Sequence, residues 1–242
     1  MADFYPLKVN KKQLLTPESV AISFEIPNDL KDKFNFHSGQ FVMVEKEIDG
    51  EKLRRYYSIF SDIDASDIQL GIKLKGQDGF ADFALHQLKV GDVLQVSVPM
   101  DDVPFKLEDA SHKKSYLAIT IGSGITPFYS IIQSIVKHQP KSRMVLVYGN
   151  HSPELTIFYK ELQDLQMRYP HNLQVYFVFS ESNKADYRGR INEAILEDIL
   201  DKEKQDFDAV YMIGPDDLKK KSAKVLLEQG FKSDILHYRV YS

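Results

Sequence analysis

A change of rhythm near residue 107 constrains this chain more than any other feature. Before it, short β-like runs are separated by turn residues. "VAISFEI" alternates, "GQFVMVEKEI" runs into the turn signal "DGEK", and "RRYYSIFS", "IQLGIKL" and "VLQVSVP" follow. One short helical piece, "GFADFALHQL", interrupts them before the turn at Gly91 and Asp92. This pattern predicts a small antiparallel β-barrel. Beyond the polar linker "EDASHKKS", short apolar runs alternate with segments of helical spacing. The runs are "YLAITIG", "MVLVYGN", "LQVYFVFS", "DAVYMIG" and "ILHYRVY". Phe128, Ile131, Ile132, Ile135 and Val136 share one helical face, and Ile191, Ile195 and Ile199 repeat every four residues. Strands alternating with helices predict a parallel sheet covered on both faces. The expected fold is therefore β + α/β, with a barrel domain over 1–108 and an α/β domain over 109–242.

Composition removes several function classes. The 242 residues carry a net charge of −4, so no basic bias points to nucleic acid or anionic lipid. Zero cysteines exclude disulfides, thiolate metal sites and cysteine nucleophiles. The histidines show no metal-ligand spacing, so no metal site is expected, and His86, His138 and His171 are read as solvated. No apolar run approaches the ~20 residues that span a bilayer, and the N-terminus has no signal-peptide pattern. A cytoplasmic protein is expected.

Two stretches carry chemistry. In "RRYYSIFS", strand alternation places Arg55 and Tyr57 on one face, a cation beside an aromatic ring. In "ITIGSGITPFYS" a buried strand ends at Gly122, and Gly122 and Gly124 allow close backbone approach. Pro127 suits the first helical position, and the helix start offers N–H groups to a phosphate. Either stretch alone is compatible with a purely structural role.

Together they are more specific. A barrel bearing R-x-Y-S, followed by a parallel sheet opening with G-x-G-x-x-P, resembles the ferredoxin–NADP⁺ reductase superfamily, in its branch of oxygenase reductase components. The resemblance covers nearly the whole chain. It implies that Arg55 pairs with a flavin phosphate, that Tyr57 stacks on the isoalloxazine ring and that Ser58 lies near flavin N5. "HSGQFVMV" matches the preceding strand, with Ser38 where proline is common. "GFADFALHQL" corresponds to a pyrophosphate-binding helix, expected over 81–88. There Gly79, Ala81 and Asp82 bind cofactor, with Asp82 at the N-cap and Lys73 and Lys75 offsetting its charge. "GSGITP" places Gly122, Ser123, Gly124, Thr126 and Pro127 at the nicotinamide dinucleotide, and "IGP" adds Gly214 and Pro215. Tyr241 is expected to cover the second flavin face.

The implied cofactor is FAD rather than FMN. NADPH is expected through Ser180 and Arg188, with NADH possible because Glu181 stands where arginine often follows. Ile213 replaces a cysteine, Arg239 a glutamate, and His151 an arginine of the family pattern. The implied activity passes hydride from NAD(P)H to FAD and electrons to a separate ferredoxin or flavodoxin, because this chain has no cysteine for a fused cluster. Two alternatives stay open: a reductase of free flavin, and a catalytically weak flavoprotein with a binding or regulatory role. The run "DDLKKKSAK" is expected to start an exposed helix, with carrier docking as a further possibility.

Overall fold

The computed structural model describes residues 3–48, 50–74, 76 and 79–238. Their contacts divide the chain into two compact units. One holds Met1–Lys106 with Thr126–Ser134, the other Leu107–Ile125 with Ile135–Ser242.

The first unit contains six antiparallel strands: β1 (Phe4–Thr16), β2 (Ser19–Glu25), β3 (Phe41–Ile48), β4 (Glu51–Ser58), β5 (Asp67–Lys73) and β6 (Val93–Ser97). Helix α1 (Gly79–His86) lies between β5 and β6 in sequence. The strand order is β4-β3-β6-β1-β2-β5. The two edge strands meet where the chain leaves β4. Ile59 bridges to Leu70, and the Phe60 amide donates to the Gln69 carbonyl at 3.0 Å. Those contacts bend the sheet into the expected barrel. Leu7, Val9, Val20, Ile22, Phe24, Val42, Val44, Leu70 and Val96 fill its interior, as the period of two requires.

β1 has no counterpart among the expected strands. Pro6, which lacks an N–H, speaks against an interior strand, and four lysine and asparagine residues at 8 and 10–12 dilute the apolar alternation. Nevertheless β1 is central, pairing with both β2 and β6, and Pro6 sits opposite Gln95. Leu7 and Val9 supply the buried face, and a register shift follows Val9.

The second unit is a parallel sheet of β7 (Ser115–Ile121), β8 (Arg143–Asn150), β9 (Leu173–Phe179), β10 (Tyr187–Arg188), β11 (Ala209–Ile213) and β12 (Leu236–Tyr238). Its order is β10-β9-β8-β7-β11-β12. The helices are α2 (Ile125–His138), α3 (Tyr159–Arg168), α4 (Glu193–Glu203) and α5 (Asp216–Glu228). Residues 126–134 of α2 cluster with the first unit. The helical face read from sequence on α2 is buried throughout. Ile191 lies ahead of α4, however, because Asn192 caps that helix by accepting from the Ile195 amide at 3.0 Å.

The lysine run on α5 also differs from expectation. Lys219 is only 1% exposed and pairs with Asp216 at 2.8 Å; Lys221 pairs with Asp217 and Lys224 with Glu193. These three lysines match acids of their own unit, while Lys220 is exposed, so only Lys219 departs from an exposed helix start.

Burial also makes one histidine pH-sensitive. His237 on β12 stacks on Tyr211, with ring centroids 5.1 Å apart and planes at 25°. Its pKa is lowered from the ordinary 6.5 by desolvation. As pH falls, the unfolded chain takes up this proton before the folded one does. Stability is therefore unaffected above pH 6.5 and declines below it, until the folded ring is also protonated. Urea unfolding followed from pH 7.5 to 5 should show this loss, and His237→Phe, which keeps the ring contact, should reduce it.

Candidate functional site

The flavin platform expected from sequence lies within the first unit. β4 pairs with β3 so that Val42 faces Tyr57 and Val44 faces Arg55. Arg55 and Tyr57 therefore project on the face of the barrel's apolar residues, and both are half-buried. Tyr57 packs against Phe80 of α1, with centroids 5.7 Å apart and planes at 36°. Phe80 in turn meets Phe83 edge-on at 6.3 Å. The tyrosine ring is thus braced from behind by a buried aromatic.

The alternate residues of β4 have a different role. Arg54 lies over the Phe4 ring at 5.0 Å and pairs with Glu45. Lys52 reaches the same carboxylate at 2.6 Å. Lys52, followed by Arg54, holds the Glu45 carboxyl below the usual carboxylate range. Tyr56 is 66% exposed and touches Phe41 edge-on. One arginine of the "RR" pair thus secures the outer surface, while the other stands beside Tyr57.

Ser58 ends β4 opposite Phe41 and is half-buried. Ser61, by contrast, is buried and structural: its Oγ accepts from the Gln69 amide at 3.1 Å, and its carbonyl accepts from Ser130 Oγ at 2.9 Å. Ser38, at the position where proline is common, is buried beside Ser134 Oγ at 2.6 Å and donates to the Ser130 carbonyl. Sequence reading missed this serine cluster, because Ser38 lies 92 and 96 residues from Ser130 and Ser134.

Helix α1 begins at Gly79, two residues earlier than expected. Asp82 is therefore not its N-cap. It sits in the first turn, and its Oδ1 lies 3.0 Å from His86 Nδ1, one turn on. The pairing also ties down His86, expected to be merely solvated. The N–H groups left without intrahelical carbonyls are those of Gly79, Phe80 and Ala81. Ala81 is buried, so only its backbone can face a ligand. Lys73 lies 4.0 Å from Glu18 at the end of β5. Lys75 lies outside the described residues.

In the second unit, β7 ends in a tight turn over Gly122–Gly124 that leads directly into α2. Gly122 has φ +54°, a conformation suited to glycine, and its carbonyl accepts from Tyr148 Oη at 2.8 Å. A Cβ on Gly124 would lie 2.4 Å from Thr120 Oγ1 and 3.2 Å from the Ile213 carbonyl. That glycine is required by the unit's own packing, since Thr120 Oγ1 donates to the Ile213 carbonyl at 2.9 Å. Because the turn feeds straight into the helix, Pro127 is the third helical residue rather than the first. It still lies in the first turn, where a missing N–H is tolerated. Thr126 and Pro127 are buried, whereas Ser123 is exposed. A Cβ on Gly214 would come within 2.9 Å of Leu218. Pro215 precedes α5 as its cap.

At the carboxyl ends of β8 and β9 three side chains come together. Ser180 Oγ lies 3.2 Å from His151 Nδ1, which lies 2.9 Å from Glu181 Oε1. Two departures from the family pattern, His151 and Glu181, are therefore neighbours, although 30 residues separate them in sequence. Arg188, on β10, is exposed. Tyr241 and Arg239 lie outside the described residues.

Two family models match these halves. Residues 6–105 match an oxidoreductase FAD-binding domain, and residues 119–224 an oxidoreductase NAD-binding domain. The chain belongs to the oxidoreductases that join an FAD-binding domain to an NAD-binding domain. It is 34% identical over 181 residues to a component polypeptide of the 1,2-phenylacetyl-CoA epoxidase of Escherichia coli, covering 75% of this chain and 51% of that protein. It is 28% identical over 216 residues to NADH-cytochrome b5 reductase 2 of Neurospora crassa, covering 86% of this chain and 61% of that one. The chain thus spans about half to three fifths of these relatives. A ferredoxin NADP⁺ reductase from Neisseria gonorrhoeae, solved with FAD and NADP, has the same fold at TM-score 0.79 and 19% identity, with 98% of each chain covered.

The donor set of the first unit fits FAD. An arginine, an aromatic ring braced by Phe80 and a helix N-terminus suit a phosphate, a flat ring and a diphosphate respectively. Asp82 does not stand at the N-cap, because the helix begins at Gly79; its carboxylate lies in the first turn beside His86.

Substitutions on β4 test the platform. Arg55→Ala should weaken FAD retention by ~1.5–3 kcal/mol, the worth of a hydrogen bond to a charged group. Tyr57→Ala should also weaken it, whereas Tyr57→Phe, which keeps the ring, should not. All three should remain folded by circular dichroism. Unfolded alanine variants whose residual folded fraction is fully flavin-loaded would make these residues structural.

Proposed function

We propose that the protein is an FAD-dependent NAD(P)H oxidoreductase that passes electrons to a separate ferredoxin- or flavodoxin-type carrier. The pairing of Arg55 with a Phe80-braced Tyr57 on one face of β4 is the observation that carries this reading. Bound FAD supplies the two-electron chemistry toward the nicotinamide and the single-electron chemistry toward the carrier. The protein's part is to hold and orient. Tyr57 offers a flat surface against which a ring is held, and Arg55 fixes a phosphate through charge-assisted bonds. Ser58, at the end of the same strand, offers a hydroxyl beside the ring. Gly122 and Ser123 expose backbone and hydroxyl groups at the start of α2, where a dinucleotide phosphate is favoured. The Escherichia coli relative is named as one polypeptide of a larger enzyme, which supports electron delivery to another chain.

The cluster at the ends of β8 and β9 supports NADH as the preferred coenzyme. Sequence reading favours NADPH through Ser180, but the Ser180 hydroxyl meets His151, and His151 meets Glu181. A carboxylate there repels a ribose 2′-phosphate and can accept bonds from a ribose diol. The Neurospora crassa relative carries NADH in its name, in keeping with this preference.

The reading predicts a yellow protein whose absorbance bleaches on anaerobic addition of NADH, more readily than with NADPH. Glu181→Ala should shift the NADPH/NADH ratio of kcat/KM toward NADPH by about tenfold, or ~1.4 kcal/mol. A colourless protein that reduces added flavin would replace this reading with a free-flavin reductase. A yellow protein that neither dinucleotide bleaches would make it a non-catalytic flavoprotein. Wild-type preference for NADPH, with a ratio unmoved in Glu181→Ala, would refute the coenzyme assignment alone.

A further inference from the structure

The carbonyl end of α1 is held by a lysine from a distant strand. Lys12 of β1 donates to the Leu85 carbonyl at 3.0 Å and to the Leu88 carbonyl at 2.8 Å. Leu85 lies in the last turn of α1 and Leu88 two residues beyond its end, and a cation is favoured beside a helix C-terminus by the helix dipole. Lys12 is half-buried and lies 73 and 76 residues from its partners in sequence.

The opposite half of the same short helix carries the flavin-facing features. Phe80 braces Tyr57 at 5.7 Å, and the N–H groups of Gly79, Phe80 and Ala81 lie in the helix's first turn. The helix has only eight residues, so it moves as one body. Among the described residues it is also held by apolar burial of Phe80, Ala81 and Ala84, by packing of Phe83 and Leu85 against the core, and by the Lys46 ammonium 6.0 Å from the Phe83 ring. Burial and a cation over a ring are weakly directional. Hydrogen bonds are directional, and here one holds the last turn of α1 and the other the segment that leaves it.

We propose that Lys12 is a positioning residue for flavin binding: by anchoring the carbonyl end of α1 it sets both the Phe80 brace behind Tyr57 and the N–H groups at the helix start. The proposal rests on the reading of β4 and α1 as the flavin platform. Lys12 itself contacts neither group, and its effect travels through the helix.

The test uses the apoprotein of the whole chain titrated with FAD. Lys12→Met keeps the stem but removes the donor, Lys12→Gln keeps a shorter neutral donor, and Lys12→Arg restores a cationic donor. Lys12→Met should bind FAD about tenfold more weakly, with Lys12→Gln intermediate and Lys12→Arg within about threefold of wild type. The fluorescence of the bound flavin should rise in Lys12→Met, because a displaced Tyr57 stacks on the ring less closely; a loss of stability alone would not change it. Far-UV circular dichroism of each apoprotein should be unchanged.

FAD affinity of Lys12→Met within about twofold of wild type would overturn the proposal. So would unchanged bound-flavin fluorescence, or a Lys12→Met chain that is unfolded, since Lys12 would then serve general stability. Tyr57→Ala, titrated in parallel, separates the two levels. If Tyr57→Ala binds FAD as well as wild type, the platform reading fails. If Tyr57→Ala is impaired and Lys12→Met is not, only the role of Lys12 fails.

Discussion

Barrel closure is the constraint on which the proposed flavin platform depends. β4 is an edge strand, and an edge strand left open is poorly held. The seam formed by the Ile59–Leu70 bridge and the Phe60–Gln69 hydrogen bond ties its end to β5. Ser61 strengthens that seam by accepting from the Gln69 amide. Tyr57 and Ser58 therefore stand immediately before a fixed point rather than on a free edge. The neighbouring Arg54–Glu45–Lys52 group anchors the same strand on its other face. Alternation along β4 thus divides one octapeptide into a supporting set and a presenting set.

The turn after β7 shows a similar division within two glycines. Gly122 adopts a positive φ, and its carbonyl is fixed by Tyr148, whose hydroxyl pKa is pushed up by burial. Gly124 instead makes room for the Thr120–Ile213 contact that joins β7 to the end of β11. Only one of the two glycines leaves open space around its Cα. A glycine motif read as a single ligand-approach device is therefore half device and half packing.

Electrostatics at the strand ends act by small numbers of groups. His151, Ser180 and Glu181 place one carboxylate and one imidazole where the family pattern has arginines. Removing the arginines and adding a carboxylate changes the local charge in the same direction twice. A dianionic phosphate senses that change far more than a neutral diol does. On α5, Asp216, Asp217 and Glu193 pair with Lys219, Lys221 and Lys224, three of the run's four lysines.

What the sequence determined by itself was periodic and local. Period two gave the barrel strands and the shared face of Arg55 and Tyr57, and helical spacing gave the buried face of α2, because side-chain direction follows from backbone geometry alone. The family motifs, each a short contiguous string, marked both halves. What only the tertiary structure decided involved residues far apart in sequence or elements with weak local signal. β1 escaped notice because its proline and lysines obscure a central strand whose pairing comes from β2 and β6. Helix α1 starts at Gly79, which moves Asp82 from the cap into the first turn and gives it to His86. Ser38 with Ser130 and Ser134, His151 with Glu181, and Lys12 with the end of α1 meet across 30 to 96 residues. No periodicity or motif encodes such meetings, since they arise only when hydrogen-bond partners must be found for polar groups that folding removes from water.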